Sequence, residues 1–390
     1  MKKVAFVSEM ALLEPNLSIV KRLNTTYDLY YVTDCRQDIP NKFGIKNIRR
    51  GINRAIDYEE MTKFSSFFNL QKTYLIYSLT NKNFFNAIKK AYDVVRVVRK
   101  ISPSVILTDT TAPYTVLLFL FYYHKIVLLV HDPFPHSGYK KKWLILFRYL
   151  AFKLIRNKVI FNTKQYEAFI RNYKLSPQDV FCSNLSTFEF MKVYRPCNKK
   201  KDGKFKILFW GIISQYKGIE YLCSAFEEIV KQGYQDIELT IAGSGELYFD
   251  IDPYLKYSNF KFIHKFLTNE EIADYVFNTD IVVCPYVDAT QSGVIMTAFA
   301  YCKPVIATNV GGLSEVVDEY SGILIEPRSV KQLVDSILLL YKKPYIIKQM
   351  ERYLREDYAE TEKGWEHGSA IIASAIEKQY EEQLQKVLLH

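Results

Sequence analysis

Ile281-Val-Val-Cys-Pro-Tyr-Val-Asp-Ala-Thr-Gln-Ser-Gly-Val-Ile-Met-Thr-Ala-Phe-Ala-Tyr-Cys-Lys-Pro-Val-Ile-Ala307 decides the architecture. Ile281–Cys284 is apolar throughout and largely β-branched, which reads as a strand buried on both faces. A polar loop follows, Ser292-Gly293 leads into an apolar helix over Val294–Tyr301, and a new apolar run begins at Val305. Working outward, the same alternation recurs. In the second half the strand candidates are Phe205–Trp210, Ile237–Ala242, Phe260–His264, Val305–Ala307 and Ile323–Ile325. In the first half they are Val4–Ser8, Tyr27–Val32, Tyr74–Ser78, Val105–Thr108, Ile126–His131 and Val159–Asn162, with an amphipathic helix predicted over Phe84–Lys100. Continuous apolar strands alternating with helices predict an α/β fold with parallel sheets covered on both faces.

A chain of 390 residues is long enough for two domains with separate cores. The polar stretch from Pro196 to Gly203 separates the two series and reads as the linker. The expected division is an N-terminal domain over 1–195, a C-terminal domain over 196–360 and a terminal helix over 361–390, with Trp365 and Tyr380 as its packing anchors. A composition 49% hydrophobic and 24% charged excludes bulk disorder. None of the six cysteines forms a C-x-x-C pair, so reduced thiols are expected. The apolar start of the chain is too short for a signal peptide, and His124-Lys125 breaks the longest apolar stretch, Thr115–Val130. A cytoplasmic chain without a transmembrane segment is predicted.

Charge divides the halves. Residues 1–200 hold 33 Lys+Arg against 14 Asp+Glu, giving +19, and residues 201–390 hold 19 against 28, giving −9. The first half is therefore the one suited to an anionic partner: a membrane surface, a phospholipid or pyrophosphate acceptor, or nucleic acid. No recognition helix or base-stacking motif supports nucleic acid.

Three segments follow strands of the second half, where ligands of open parallel sheets bind. Leu208-Phe-Trp-Gly-Ile-Ile-Ser-Gln-Tyr-Lys-Gly218 sets an ammonium at the start of a helix, which is either a phosphate site or a capping turn. Leu239-Thr-Ile-Ala-Gly-Ser-Gly-Glu246 places glycines after a strand, for close ligand approach or a tight turn. The loop ending at Ser292-Gly293 offers backbone amides and a helix dipole to a diphosphate. Asn309-Val-Gly-Gly-Leu-Ser-Glu315 reads as a second anion-friendly helix start on the same edge.

Together these segments resemble the donor domain of retaining glycosyltransferases of family 4 (glycosyl transferases group 1). The resemblance covers residues 205–325 and includes Tyr216-Lys-Gly218, Ile241-Ala-Gly243, Phe266–Ala273, Ser292-Gly293 and the run Lys303–Glu315. It implies the GT-B architecture, two Rossmann-like domains facing a cleft with the C-terminal helix packing back toward the N-terminal domain. It also implies a nucleotide-sugar donor and no metal or other cofactor. Gly211, Lys217, Gly243, Phe266, Thr290, Gln291, Ser292, Gly293 and Val294 are the donor-binding positions so implied, with Lys217 offsetting charge on the leaving nucleotide, and Asp288, close in sequence to the positions of the missing glutamates, is a further candidate for sugar recognition. The chain departs from the family at Ile212, where arginine is usual, and at Thr290 and Ala298, where glutamates are usual.

In the first half, Val130-His-Asp-Pro-Phe-Pro-His-Ser-Gly138 is a rigid polar loop after a strand. His131 is either satisfied by neighbouring backbone or, as the resemblance implies, turned toward the transferred sugar. It joins Lys217 as a catalytic candidate. Two histidines four residues apart with one aspartate match metal-ligand spacing poorly. Lys140–Arg156 has many bases and no acid. It reads either as a membrane-surface helix or as a core helix with a solvated cationic face, and Lys140, Lys141, Lys142 and Arg148 are its candidate acceptor or membrane contacts. Asp250-Ile-Asp252 lies next to Pro253 and reads as surface rather than as a D-x-D metal motif. The expected activity is transfer of a hexose-type sugar from a nucleotide-diphosphate donor to a saccharide or lipid-linked acceptor, in surface polysaccharide or glycan synthesis, with peripheral contact at the inner membrane face. A nucleotide-sugar epimerase and a catalytically silent donor-binding relative are the alternatives.

Overall fold

The computed structural model describes residues 1–37, 41–79, 84–134, 142–194, 203–289 and 291–388. Lys140, Lys141, Thr290 and most of the expected linker lie outside them. The chain forms two compact units, Met1–Leu185 with Trp365–His390, and Ser186–Gly364.

The strands of the first unit are β1 (Lys3–Ser8), β2 (Asp28–Arg36), β3 (Gly51–Arg54), β4 (Thr73–Ser78), β5 (Val105–Thr108), β6 (Ile126–Val130), β7 (Asn157–Ile160) and β8 (Val180–Cys182). They form one sheet in the order β3-β4-β2-β1-β5-β6-β7-β8, parallel except for the edge strand β3. Helices cover both faces, as a parallel sheet with fully buried strands such as β5 and β6 requires. The terminal helix Trp365–Leu388 bonds to residues at the amino ends of these strands. Tyr27 donates to Glu377 at 2.9 Å, Asn157 to Gln379 at 3.0 Å, and Gln379 to the His124 carbonyl at 2.8 Å. The carboxyl ends are left for ligands.

The second unit holds β9 (Phe205–Trp210), β10 (Ile237–Gly243), β11 (Phe260–His264), β12 (Ile281–Cys284), β13 (Val305–Thr308) and β14 (Gly322–Ile325). All pair in parallel, in the order β11-β10-β9-β12-β13-β14. Both units are thus Rossmann-like α/β layers, as the alternation of strands and helices predicts. Among the described residues no helix is long and apolar enough to cross a membrane.

Candidate functional site

In the second sheet the strand order reverses at β9, with β10 on one side and β12 on the other. A crevice for ligands opens beyond the carboxyl ends at such a point. The loops after β9 and β12 brace each other there. The Tyr216 carbonyl accepts a hydrogen bond from the Val287 amide at 2.8 Å. Gly218 ends the turn Gln215–Lys217 with φ +62° and opens the helix Ile219–Lys231. A Cβ on Gly218 would collide with the Pro285 carbonyl oxygen, so both its backbone conformation and its surroundings demand glycine.

This brace fixes Lys217. Its ammonium lies 3.6 Å from the centroid of the buried Tyr286 ring and 5.0 Å from that of Tyr216, where the π-faces attract a cation. Among the described residues no carboxylate pairs with it. Burial pushes its pKa down to about 8. The Ser214 hydroxyl, in the same loop, is buried without a hydrogen-bond partner among the described residues. A half-buried cation and an orphaned hydroxyl in one loop suit an anionic ligand that carries oxygen acceptors.

Across the crevice, Ser292 caps the helix Gly293–Ala300, its hydroxyl accepting from the Ile295 amide at 3.4 Å and lying 3.2 Å from the Tyr286 hydroxyl. The Gly293 and Val294 amides have no preceding turn to bond, so the dipole's positive end is available. The Val294 side chain reaches to 3.8 Å from where a Cβ on Gly211 would stand, which places the two loops side by side. Gly243 closes the third side, its α-carbon pressed against the Gly211 carbonyl.

Gly211, Lys217, Gly243, Ser292, Gly293 and Val294 therefore converge at one sheet edge. Gln291 precedes the cap and is partly buried, Asp288 is exposed, and Phe266, beyond β11, is 68% exposed. Ile212, at the position where the family usually has arginine, is exposed, and Ala298 is fully buried within the helix. One reading needs correction. Gly311-Gly312 precedes only a single turn, Leu313–Val316, which is too short to sum an appreciable dipole. Asp250 and Asp252 are exposed, as expected. Tyr286 and Ser214 were not singled out in the sequence. Tyr286 looks like any aromatic after a strand, and only the folded loop shows a cation above it.

In the first unit, His131 follows β6 and stacks on Phe161, ring centroids 4.8 Å apart. Burial pushes its pKa down to about 4, so the imidazole is neutral, and its Nε2 has no partner among the described residues. Arg148 is partly buried over the Phe152 ring at 5.3 Å.

A second group of residues, not foreseen from the sequence, gathers where the first sheet reverses, at the carboxyl ends of β1, β2 and β5. Asp34 pairs with the buried Lys90 at 2.5 Å and accepts from the Met10 amide at 2.8 Å. Thr110 donates to Glu9, and Asn16 donates to Asp109 and to Ser8. Burial pushes the Asp109 carboxyl up to about 8, with Glu9 adding to the rise and the Asn16 hydrogen bond opposing it. The folded pKa thus lies above the unfolded one. Asp109 contributes stability that is complete below the ordinary aspartate pKa and is lost as pH rises through about 8. Asp109→Asn, which mimics the protonated form, is expected to flatten that decline, so that melting temperatures of variant and wild type diverge toward high pH in scans from about pH 5 to 9. Parallel curves would show that Asp109 ionises normally.

The chain is similar to proteins of known sequence and structure. It is 30% identical over 212 residues to the uncharacterized glycosyltransferase MJ1607 of Methanocaldococcus jannaschii, a match covering 51% of this chain and 52% of that protein. The chain spans about half the length of the curated relatives it matches. Sucrose-phosphate synthase of Thermosynechococcus elongatus superposes with TM-score 0.65 at 14% identity, over 98% of this chain and 100% of that one. HepE of Anabaena in complex with UDP-glucose does so with TM-score 0.59 at 14% identity, over 99% and 100%. The fold is the two-domain GT-B fold of glycosyltransferases. Residues 204–343, which carry Lys217, Gly243 and the Ser292 cap, match the family model described as Glycosyl transferases group 1.

Proposed function

We propose that the protein is a glycosyltransferase that takes a hexose-type sugar from a nucleoside diphosphate donor and passes it to a hydroxyl of a saccharide or lipid-linked acceptor. The observation that carries this reading is the Lys217 ammonium, held over the Tyr286 ring at the reversal of the second sheet, with the Tyr286 hydroxyl in turn 3.2 Å from the Ser292 hydroxyl that caps the next helix. In the reaction the bond from the anomeric carbon to the diphosphate oxygen breaks, and negative charge develops on the leaving phosphate. Lys217 and the Gly293 and Val294 amides stabilise that charge without reorganising, because the loops already hold them. The neutral His131 imidazole hydrogen-bonds the sugar rather than ionising. The acceptor hydroxyl attacks the face the diphosphate leaves, its proton passing to the departing oxygen, so configuration is retained. No metal is required where an ammonium and a helix terminus neutralise the diphosphate.

The full chain mixed with UDP-, GDP- and ADP-sugars tests the reading by thermal shift, since a ligand bound only by the native state raises the melting temperature. One sugar nucleotide is expected to stabilise the protein, and the Lys217→Met variant is expected not to respond. Release of nucleoside diphosphate should then depend on added acceptor. Conversion of the sugar nucleotide with no acceptor present would instead identify an epimerase. Binding with no turnover on any acceptor pool would identify a silent relative.

A further inference from the structure

Tyr286 stands two residues beyond the end of β12 and is fully buried. Both of its chain neighbours are locked to the turn that carries Lys217. The Pro285 carbonyl oxygen occupies the space a Cβ on Gly218 would need, and the Val287 amide donates to the Tyr216 carbonyl at 2.8 Å. From the other side, the Thr308 hydroxyl at the end of β13 donates to the Tyr286 carbonyl at 2.6 Å. The backbone of Tyr286 is thereby bracketed, and its ring has little room to leave the turn.

A buried tyrosine that only filled space would gain nothing from its hydroxyl, and a buried hydroxyl without a partner is costly. Here both parts of the side chain meet groups of the candidate site. The ring centroid lies 3.6 Å from the Lys217 ammonium. The hydroxyl lies 3.2 Å from that of Ser292, which accepts from the Ile295 amide at the start of the helix Gly293–Ala300. A lysine ammonium on its flexible four-carbon stem is poorly placed by its own rotamers, and a π-face gives it a preferred position. Isoleucine, 62% exposed, stands at position 212 where the family usually has arginine, so no guanidinium there backs up the ammonium. We infer that Tyr286 is the positioning residue of this site, its ring seating the Lys217 ammonium and its hydroxyl tying that seat to the Ser292 cap. The inference rests on the reading of Lys217 as the diphosphate contact and adds the residue that sets its place. The titratable groups against the ammonium are the Cys284 thiol and the Tyr286 and Tyr216 phenols. Burial pushes the Cys284 thiol up to about 11 and raises the Tyr286 phenol as well, whereas it lowers Lys217 to about 8.

Titration calorimetry of the full chain with UDP, GDP and ADP, at pH values on both sides of 8, tests it. Tyr286→Phe keeps the ring and loses the hydroxyl. It is expected to bind the preferred nucleoside diphosphate about threefold more weakly, with the wild-type pH midpoint. Tyr286→Leu loses both parts. It should bind about tenfold more weakly, and its affinity should fall at lower pH than that of wild type, because the π-face that favoured the charged amine is gone. With Ser292→Ala already in place, Tyr286→Phe should cost almost nothing further. A tyrosine that merely fills space would lower the melting temperature and leave both the midpoint and the coupling to Ser292 untouched. Wild-type midpoint in Tyr286→Leu, or Tyr286→Phe and Ser292→Ala losses that simply add, overturns the inference. If Tyr286→Leu does not fold, the cycle of Tyr286→Phe with Ser292→Ala decides alone. Wild-type protein that binds none of the three nucleoside diphosphates overturns the diphosphate reading itself, and this inference with it.

Discussion

Lys217→Met is expected to lower kcat/KM by about a hundredfold to a thousandfold without weakening the fold. Methionine keeps an unbranched stem and removes the charge held over Tyr286. The stability of the empty protein should hold or rise, because the ammonium is a partly desolvated cation with no carboxylate partner among the described residues. The sign can be followed with pH. Burial holds the folded pKa at about 8, below the ordinary lysine value, so the folded chain binds fewer protons than the unfolded chain between the two. Wild-type stability relative to the variant should therefore fall as pH drops from the lysine range to about 8, and level off below. Ligand binding runs the other way. A diphosphate needs the protonated amine, so wild-type affinity for a nucleoside diphosphate should weaken as pH rises past about 8, and the variant should show a flat, weak profile. Titration calorimetry across that range reads both. An affinity equally steep in pH without Lys217 would move the anion contact to another residue.

Much of this could be read before the fold was known, and the remainder has identifiable physical causes. Val105–Thr108, Phe205–Trp210, Phe260–His264 and Ile281–Cys284 match their observed bounds because a strand core leaves a short run dominated by β-branched, aromatic and other apolar residues in the text. β2 continues through Thr33-Asp34-Cys35-Arg36, past the predicted end at Val32, because Asp34 is satisfied inside the fold by Met10 and Lys90. No local pattern carries that information. β3 is an antiparallel edge of four residues and β8 a parallel edge of three, both too short for periodicity to register. The same reasoning separates the two sites. Lys217, Gly243 and Ser292 each stand at a strand end or helix start, so their placement follows from the alternation itself. Glu9, Asp34, Lys90 and Asp109 come from four separate elements and meet only because β1 lies between β2 and β5. Sheet order, not spacing, brings them together, and sheet order is what a single sequence reveals least.

The largest stability effect is expected at Gly243, and its cause differs from the usual one for glycine. Its φ is not positive, so no left-handed conformation requires it. The constraint is steric: a Cβ there would run into the Gly211 carbonyl oxygen, with the Gly211 carbonyl carbon at 2.9 Å and nitrogen at 3.3 Å behind it. All three are backbone atoms of the neighbouring strand end and cannot rotate away. Accommodating the methyl means parting the chain where Gly211 donates to Ala242 at 3.0 Å and Ile213 to Ser244 at 2.9 Å. Overpacking together with two weakened hydrogen bonds costs about 3 kcal/mol or more. For a domain of this size that lowers the melting temperature by roughly 6–12 °C. Gly233 supplies the contrast, with φ +98° and nothing within 4 Å of its would-be Cβ. Gly233→Ala pays only for its backbone conformation, about 1–2 kcal/mol. Gly243→Ala should therefore unfold at the lower temperature, and it alone should also weaken binding of a nucleoside diphosphate, because the displaced Gly211 leads directly into the loop that carries Lys217. If calorimetry finds the two substitutions equally mild, the ends of β9 and β10 are not locked together, and the loop that presents the ammonium is not held by the packing described.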